Sequence, residues 1–154
     1  MHPVRVIQTG PKRISVRINN MDQTSPPPPN CPIVYFDGSC PLCSIEIAHY
    51  QACQGAQDIA FVDVADANVA LSADLDRAQA MARFHVRLPD GSLRSGAAAF
   101  VALWQVLPRW RWVAGWAGHR RILPILERLY VLFLPWRSRI ARLMFKQAKS
   151  ARQS

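Results

Sequence analysis

The chain has 154 residues, of which 50% are hydrophobic, with 19 Lys and Arg, 10 Asp and Glu, and 4 Cys. This composition predicts one folded domain, and it excludes both a chain that is disordered throughout and a small secreted disulfide scaffold. The net charge of +9 is uneven, because residues 109–154 hold 11 basic residues and one acidic residue, Glu127. The C-terminal third therefore favours an anionic partner or surface.

The N-terminal segment differs in composition from the rest of the chain. Its first 20 residues hold no apolar run of signal-peptide length, and four consecutive prolines follow Ser25. Such prolines form a polyproline II spacer that cannot join the interior of a sheet. Translation from Met21 is an alternative start. We predict a flexible, basic and proline-rich arm over residues 1–31, a folded domain with a helical tail over residues 32–146, and a disordered C-terminus over residues 147–154.

Apolar runs and turn residues predict a βαβ unit at the start of the domain. Ile33 to Phe36 form a short apolar run, which is typical of a strand buried on both faces. Pro41 occupies a first-turn position of the next helix, and we expect Gly55 to close that helix. Residues 59–64 are predicted to form the second strand.

The next elements are a short helix and a hairpin. Residues 73–82 are predicted to form a helix with Ser72 as its N-cap. The turn Pro89-Asp90-Gly91 separates two short strand-like segments, which is a strong hairpin signal.

The remainder of the chain is predicted to be helical. An apolar helix over Ala97 to Leu107 ends at Pro108, and later breaks are expected near Gly115–Gly118 and at Pro135, which lacks an N–H. The order β-α-β-α-β-β-α, followed by a helical C-terminal extension, predicts an α/β protein with a thioredoxin-like core.

Cys40-Pro41-Leu42-Cys43 lies where the first strand turns into the first helix. Residues three apart share a helical face, so the two sulfurs can form a disulfide without breaking the turn. The unpaired N–H groups and the positive dipole at the helix start stabilise a thiolate on Cys40. We predict that Cys40 attacks a substrate disulfide as the nucleophile. Cys43, one turn inside the helix and expected to be less exposed, then resolves the mixed disulfide.

Asp37 precedes Cys40 by three residues and has two possible roles. Its carboxylate can accept the proton that Cys43 must lose, directly or through water. Alternatively, it shapes the loop by accepting hydrogen bonds from its own backbone, as in an Asx-turn.

The run Tyr35-Phe36-Asp37-Gly38-Ser39-Cys40-Pro41-Leu42-Cys43 resembles the signature of the DCC family of thiol–disulfide oxidoreductases, named for Asp-x-x-Cys-x-x-Cys. Further matching segments are Phe61-Val62-Asp63, Met81-Ala82-Arg83-Phe84-His85-Val86, Asp90-Gly91, Gly96 with Ala99-Phe100, and Tyr130. The resemblance covers about residues 33–139. It implies a thioredoxin-like fold and dithiol redox activity.

Two features depart from related patterns. Thioredoxins and glutaredoxins place a cis-proline just before the third strand, where it faces the sulfurs and holds the substrate backbone. In this chain Met81-Ala82-Arg83 precedes that strand, and Pro89 falls in the turn after it. We therefore expect a substrate groove that is built differently. Pro135 also interrupts a tail that is usually a continuous helix in the family.

The cysteine pair could also be half of a zinc site. Cys53 lies ten residues past Cys43, or about 15 Å along a helix, which is too far for a shared metal. Cys31 together with a histidine remains the alternative route to zinc. We expect Cys53 to be a small buried helix residue and Cys31 a partly exposed thiol before the first strand. No metal or organic cofactor is expected, since the dithiol is itself the redox centre.

The histidines offer one further candidate. His85, near the start of the third strand, either faces the thiols as a proton shuttle or points away as a satisfied structural residue. His49 and His119 are expected on the surface.

The basic C-terminal third raises the question of a second partner. Arg109-Trp110-Arg111-Trp112 with Trp116 alternates cations with aromatic rings, which suits nucleic-acid bases or a lipid headgroup layer. The alternative is that the tryptophans pack on the core while the arginines reach into solvent. Five cations of the tail have the spacing of one amphipathic helix face: Arg137, Arg139, Arg142, Lys146 and Lys149.

We interpret the chain as a cytoplasmic thiol–disulfide oxidoreductase of the protein-disulfide reductase type. Its expected substrates are disulfide-containing proteins or small thiols, and a nucleic-acid partner is not expected. The alternative is a non-catalytic binding module whose basic, aromatic C-terminal helices dock on a membrane surface or another anionic partner. No membrane-spanning helix is predicted, because charged residues interrupt the stretch from Ile122 to Trp136, which is shorter than the ~20 residues required.

Overall fold

The computed structural model describes residues 30–150, with side chains described for residues 30–137, 139 and 140. Most of the predicted N-terminal arm and the last four residues lie outside this range, so the division of the chain into arm, domain and C-terminus stays a prediction. The strands are β1 (Ile33–Phe36), β2 (Ala60–Asp63), β3 (His85–Arg87) and β4 (Leu93–Ser95). The helices are α1 (Pro41–Gln51), α2 (Arg77–Ala82), α3 (Ala97–Val106), α4 (Arg111–Ala117) and α5 (Leu123–Ser150), with short 3-10 turns at Ala56–Asp58 and Pro108–Trp110.

The four strands form one mixed sheet in the order β2-β1-β3-β4. Strand β1 runs parallel to β2 and antiparallel to β3, and β3 and β4 form the predicted hairpin. The parallel pair is joined through α1, as a βαβ unit requires. This topology confirms the α/β, thioredoxin-like fold.

The two faces of the sheet carry different helices. Val34, Phe36 and Val86 lie in one apolar cluster with residues of α1 and α3. Tyr35, between Val34 and Phe36 in the strand, packs in a second cluster with Ala80 of α2. Because successive strand residues point to opposite faces, α1 and α3 cover one face while α2 covers the other.

Helix α2 is shorter than predicted, and its predicted N-cap was wrong. The helix begins at Arg77, and the carboxylate of Asp76 accepts the N–H of Ala78 at 3.1 Å as the cap. The guanidinium of Arg87 donates a hydrogen bond to the Ser72 hydroxyl oxygen at 2.8 Å. This tertiary contact holds the segment before Asp76 in an irregular conformation.

Two predicted helix boundaries also differ from the structure. Helix α1 ends at Gln51 rather than at Gly55. Past this point a backbone N–H donates to the carbonyl three residues earlier instead of four, as that of Cys53 does to Tyr50 at 3.0 Å. Pro135 lies inside α5 and does not end it, although the predicted break near Gly118 is present. Helix α5 extends to Ser150.

Helix α5 is fastened to the core beside the start of β3. The N–H of Phe84 donates to the hydroxyl oxygen of Tyr130 at 2.9 Å. The Glu127 carboxylate accepts the first N–H of α3, from Ala97, at 2.8 Å, and it also forms an ion pair with Arg83. Glu127 and Tyr130 are three residues apart and therefore lie on the same face of α5.

The loop between β1 and α1 is braced from the end of β2. One carboxylate oxygen of Asp63 accepts the N–H groups of Gly38 at 2.8 Å and Ala65 at 2.9 Å. A Cβ atom at Gly38 would lie 2.0 Å from the other oxygen of Asp63. The close approach of this carboxylate therefore requires glycine at position 38.

We predict that Gly38→Ala destabilises the fold by about 1–3 kcal/mol, because the new methyl group displaces Asp63 from its two N–H partners. Urea unfolding followed by circular dichroism measures the change.

Gly115→Ala is the matched control. Gly115 lies inside α4 with no atom within 4 Å of an added Cβ, so alanine should stabilise that helix by up to about 1 kcal/mol. Equal stability of the Gly38→Ala variant and the unsubstituted protein would contradict the role of the brace.

Candidate active site

The loop before α1 presents Cys40 as the last residue outside the helix. Its backbone is extended at φ −88° and ψ 114°, and its carbonyl accepts the N–H of Ser44 at 3.0 Å. The N–H of Cys40 donates to the Asp37 carbonyl at 3.2 Å. The carboxylate of Asp37 accepts both the N–H and the hydroxyl of Ser39, at 3.0 and 2.5 Å. Asp37 therefore makes the hydrogen bonds of an Asx-turn, while its role as a proton acceptor stays a prediction.

Both cysteines of the motif are free thiols that lie close together at the start of α1. Cys40 is buried, with 8% of its surface exposed, while Cys43 is partly exposed. The expectation that Cys43 would be the less exposed of the two was therefore wrong. Cys43 lies in the first turn of α1 and lines a cleft against α5, which leaves part of its side chain in contact with solvent.

The surroundings of Cys43 favour its thiol form. Burial, followed by the hydrogen bond and the charge of Cys40, raises the pKa of the Cys43 thiol to about 12. Arg137 opposes this rise in pKa, and Asp37 adds to it. Cys43 is therefore protonated at neutral pH and has to lose its proton before it can attack a disulfide.

Arg137 is the functional neighbour that the sequence analysis missed. Its guanidinium donates to the Sγ atom of Cys43 at 3.8 Å and to the carbonyl of Met81 at 3.3 Å. It also lies 3.6 Å from the Asp37 carboxylate. The sequence placed Arg137 on a cationic helix face, whereas the structure directs it towards the dithiol. The only available signal was its position in a helix that the family resemblance includes.

The cleft beside Cys43 is small and mainly apolar. It encloses about 40 Å³, which is enough for a few water molecules. Phenylalanine side chains from β1, α3, α5 and the segment before β3 form much of its wall. Its polar groups are Asp37, Cys43, Glu46, Arg83, Tyr130 and Arg137.

His85 does not face the thiols. It pairs with Tyr35 across β1 and β3, and so it lies on the face that carries α2, opposite α1. The ring nitrogen Nδ1 lies 2.8 Å from the Arg83 carbonyl, and burial lowers the pKa of His85, which favours the neutral ring. This arrangement fits the structural interpretation of His85.

The remaining candidates lie outside the site. Cys53 follows the end of α1 and is partly exposed, so the expectation of a buried helix residue was wrong. Cys31 is partly exposed before β1, and His49 and His119 are exposed, all as predicted. Within residues 30–150, no cluster of three or more His, Cys, Asp and Glu side chains is placed to hold a metal.

The segment before β3 differs from the thioredoxin arrangement, as expected. No cis peptide bond occurs in the described part of the chain. The carbonyl of Met81, near the end of α2, accepts a hydrogen bond from Arg137 instead of standing beside a cis-proline. Helix α5 thus contributes a wall beside the cysteine pair.

The family described as DCC1-like thiol-disulfide oxidoreductase matches residues 34–143, which is most of the chain. The chain belongs to this family. No curated protein and no solved structure matches the sequence. Membership of the DCC1-like family, together with the adjacent free thiols, supports a redox role as a thiol–disulfide oxidoreductase.

We predict that Cys43 in the reduced, folded protein reacts with iodoacetamide at pH 8 at least 100-fold more slowly than it does in denaturant. Because burial and the charge of Cys40 raise the pKa of Cys43 to about 12, only a very small fraction of Cys43 is a thiolate at that pH. Peptide mass spectrometry over time measures the rate.

The same peptide in denaturant serves as the control, since unfolding removes the burial and the neighbouring charges. Labelling of Cys43 at similar rates in both states would show that the folded environment does not suppress its ionisation.

Proposed function

We propose that the protein catalyses thiol–disulfide exchange, with Cys40 as the nucleophile and Cys43 as the resolving thiol. The observation that carries this proposal is the pair of free thiols at the N-terminus of α1. The surroundings of the two thiols support this order of attack. The helix start offers N–H groups and a positive dipole to a thiolate on Cys40, whereas burial keeps Cys43 protonated.

The exchange proceeds in two displacements. The Cys40 thiolate attacks one sulfur of a substrate disulfide, forms a mixed disulfide and releases the first substrate thiolate, which takes up a proton. Cys43 then loses its proton and attacks the Cys40 sulfur, which forms the Cys40–Cys43 disulfide and releases the second substrate thiolate. Two electrons pass from the dithiol to the substrate, and the reverse sequence oxidises a substrate dithiol.

Asp37 is proposed as the acceptor of the Cys43 proton, directly or through a water molecule. Its carboxylate acts electrostatically on Cys43, and it lies within 3.6 Å of the same arginine that contacts the Cys43 sulfur. The hydrogen bonds from Ser39 occupy one carboxylate oxygen, so the proposed acceptor is the other oxygen, which faces the Arg137 guanidinium at 3.6 Å.

Limited access to Cys40 supports a choice of substrate class. Because Cys40 is only 8% exposed, a small disulfide or an extended segment of a protein reaches it more easily than a compact protein surface does. We therefore propose small-thiol disulfides and flexible protein disulfides as substrates. We also propose a cytoplasmic location, because thiols are kept reduced in that compartment.

A glutathione redox titration followed by intact mass measurement tests the proposal. The unsubstituted protein should lose two hydrogens on oxidation, whereas Cys40→Ser should not. Cys43→Ser should accumulate a stable mixed disulfide with glutathione on Cys40, because the resolving thiol is gone.

Cys53→Ser is the matched control and should titrate like the unsubstituted protein. An unsubstituted protein that never loses two hydrogens between Cys40 and Cys43 would refute the exchange. A mixed disulfide that forms on Cys43 in Cys40→Ser, with none on Cys40 in Cys43→Ser, would reverse the assigned roles.

A second proposed function is contact with an anionic membrane surface through α5. The outward stripe of this helix, defined as Ile125, Leu129, Leu132 and Trp136, consists of side chains that are each more than half exposed. These positions repeat at intervals of four, three and four residues, so they lie on one side of the helix. No described helix is both long enough and apolar enough to cross a membrane.

The charges on α4, α5 and the segments beside them favour an anionic surface. Six exposed arginines, none of them in an ion pair with another described residue, lie on α4, α5 and the segments beside them: Arg109, Arg111, Arg120, Arg121, Arg128 and Arg139. Trp112 and Trp116 of α4 are also more than half exposed, while Trp110 stacks on Trp104 of the core. Cations beside exposed aromatic and aliphatic side chains are the composition that binds the surface of an anionic bilayer.

We predict that the protein co-sediments with vesicles of phosphatidylglycerol and phosphatidylcholine at low salt, and much less with phosphatidylcholine alone. Replacing Leu129 and Leu132 together by Gln should reduce binding at least tenfold, since both apolar side chains are lost from the interface.

Ile45→Gln, which changes an exposed apolar residue of α1, is the control and should leave binding unchanged. No sedimentation with anionic vesicles at low salt would refute the membrane contact while leaving the redox proposal intact.

A further inference from the structure

Arg137 joins three parts of the redox site from outside the thioredoxin-like core. Its guanidinium contacts the loop before α1 through Asp37, α1 through the Cys43 sulfur, and the end of α2 through the Met81 carbonyl. The core runs from β1 to α3, and α5 follows it in the chain as part of the C-terminal extension. The C-terminal extension therefore brings a positive charge into hydrogen-bonding distance of the second cysteine.

The setting of Arg137 strengthens its electrostatic effect. Its side chain is 20% exposed and that of Asp37 is 10% exposed. Charges that are largely removed from water are screened less and interact more strongly. The planar guanidinium carries several N–H donors in a fixed arrangement, so one terminal nitrogen contacts the sulfur while the other faces the carboxylate.

The other charged groups near Cys43 do not replace this arginine. Cys40 and Asp37 both disfavour a negative charge on the Cys43 sulfur. Of the other polar groups that line the cleft, Glu46 and Tyr130 are acidic groups, and Arg83 is the remaining cation. Arg83 is already paired with Glu127. Among the described residues, Arg137 is therefore the cation that hydrogen-bonds to the Cys43 sulfur.

We propose that Arg137 is a catalytic residue that stabilises the Cys43 thiolate as it forms in the resolving step. This inference rests on the proposed exchange function. In the mixed disulfide Cys40 carries no charge, so Asp37 and burial oppose the thiolate while the guanidinium favours it. The Cys43 proton leaves to Asp37 or water, the new thiolate forms the Cys40–Cys43 bond, and the substrate thiolate departs with the electron pair.

The test uses the full chain with Cys31→Ser and Cys53→Ser, treated with 5,5′-dithiobis(2-nitrobenzoate). Attack by Cys40 releases the first coloured thiolate at a rate that depends on reagent concentration. Attack by Cys43 on Cys40 releases the second at a rate that does not. Arg137→Gln should slow this second phase about tenfold at pH 7 and move its pH profile about one unit higher.

Two further variants separate charge from packing. Arg137→Lys keeps the positive charge. The rate of its second phase should be within about threefold of that of the unsubstituted protein, and the pH profile of that phase should not shift. Arg139→Gln removes an exposed arginine two residues further along α5 and should change neither phase.

The outcomes separate this inference from the function on which it rests. If the protein with Arg137 shows no second phase, the exchange proposal fails. If it shows both phases and Arg137→Gln resolves equally fast, Arg137 has no role in resolution. If Arg137→Gln does not fold, as judged by circular dichroism, Arg137→Lys is the deciding variant. A pH profile of its second phase that is displaced by one unit or more would rule out a role for the positive charge at position 137.

Discussion

The arrangement of the site depends on a carboxylate that holds two backbone segments together. Asp63, at the end of β2, accepts the N–H of Gly38 in the loop that leads to α1. It also accepts the N–H of Ala65 in its own turn. The Gly38 N–H is partly buried and costly to leave unpaired, so this single side chain fixes where the loop leaves the sheet. The position of Cys40 at the helix start follows from it, as does the orientation of the first turn that carries Cys43.

A second constraint on the site comes from α5. One side of this helix contacts the core and the cysteine pair, and the other side is exposed to solvent. Glu127, Tyr130 and Arg137 point towards the core, where they contact the start of α3, the segment before β3 and the cysteine pair. The outward stripe faces away from these contacts, since it is offset from them by about half a helical turn. The same helix therefore completes the redox site and presents an apolar surface to solvent.

Local sequence signals were sufficient for most of the fold and for the cysteine pair. The apolar run from Ile33 to Phe36 and the turn at Pro89-Asp90-Gly91 specify their elements through neighbouring residues, and both are present. Ser72 and Arg137 were misjudged for the opposite reason. Each is determined by a partner distant in sequence, Arg87 for Ser72 and the dithiol with Met81 for Arg137. The exposure of Cys43 was likewise missed, because it depends on a cleft that α5 completes.

The reach of α5 has a consequence for how the chain can be divided. A fragment that stopped after α3 would retain all four strands and both cysteines, yet it would lack the guanidinium beside Cys43 and the hydroxyl that receives the Phe84 N–H. The Cys43 sulfur would be exposed to water on the side that α5 now covers. The smallest unit that preserves the chemistry of this dithiol is therefore larger than the smallest unit that preserves its topology.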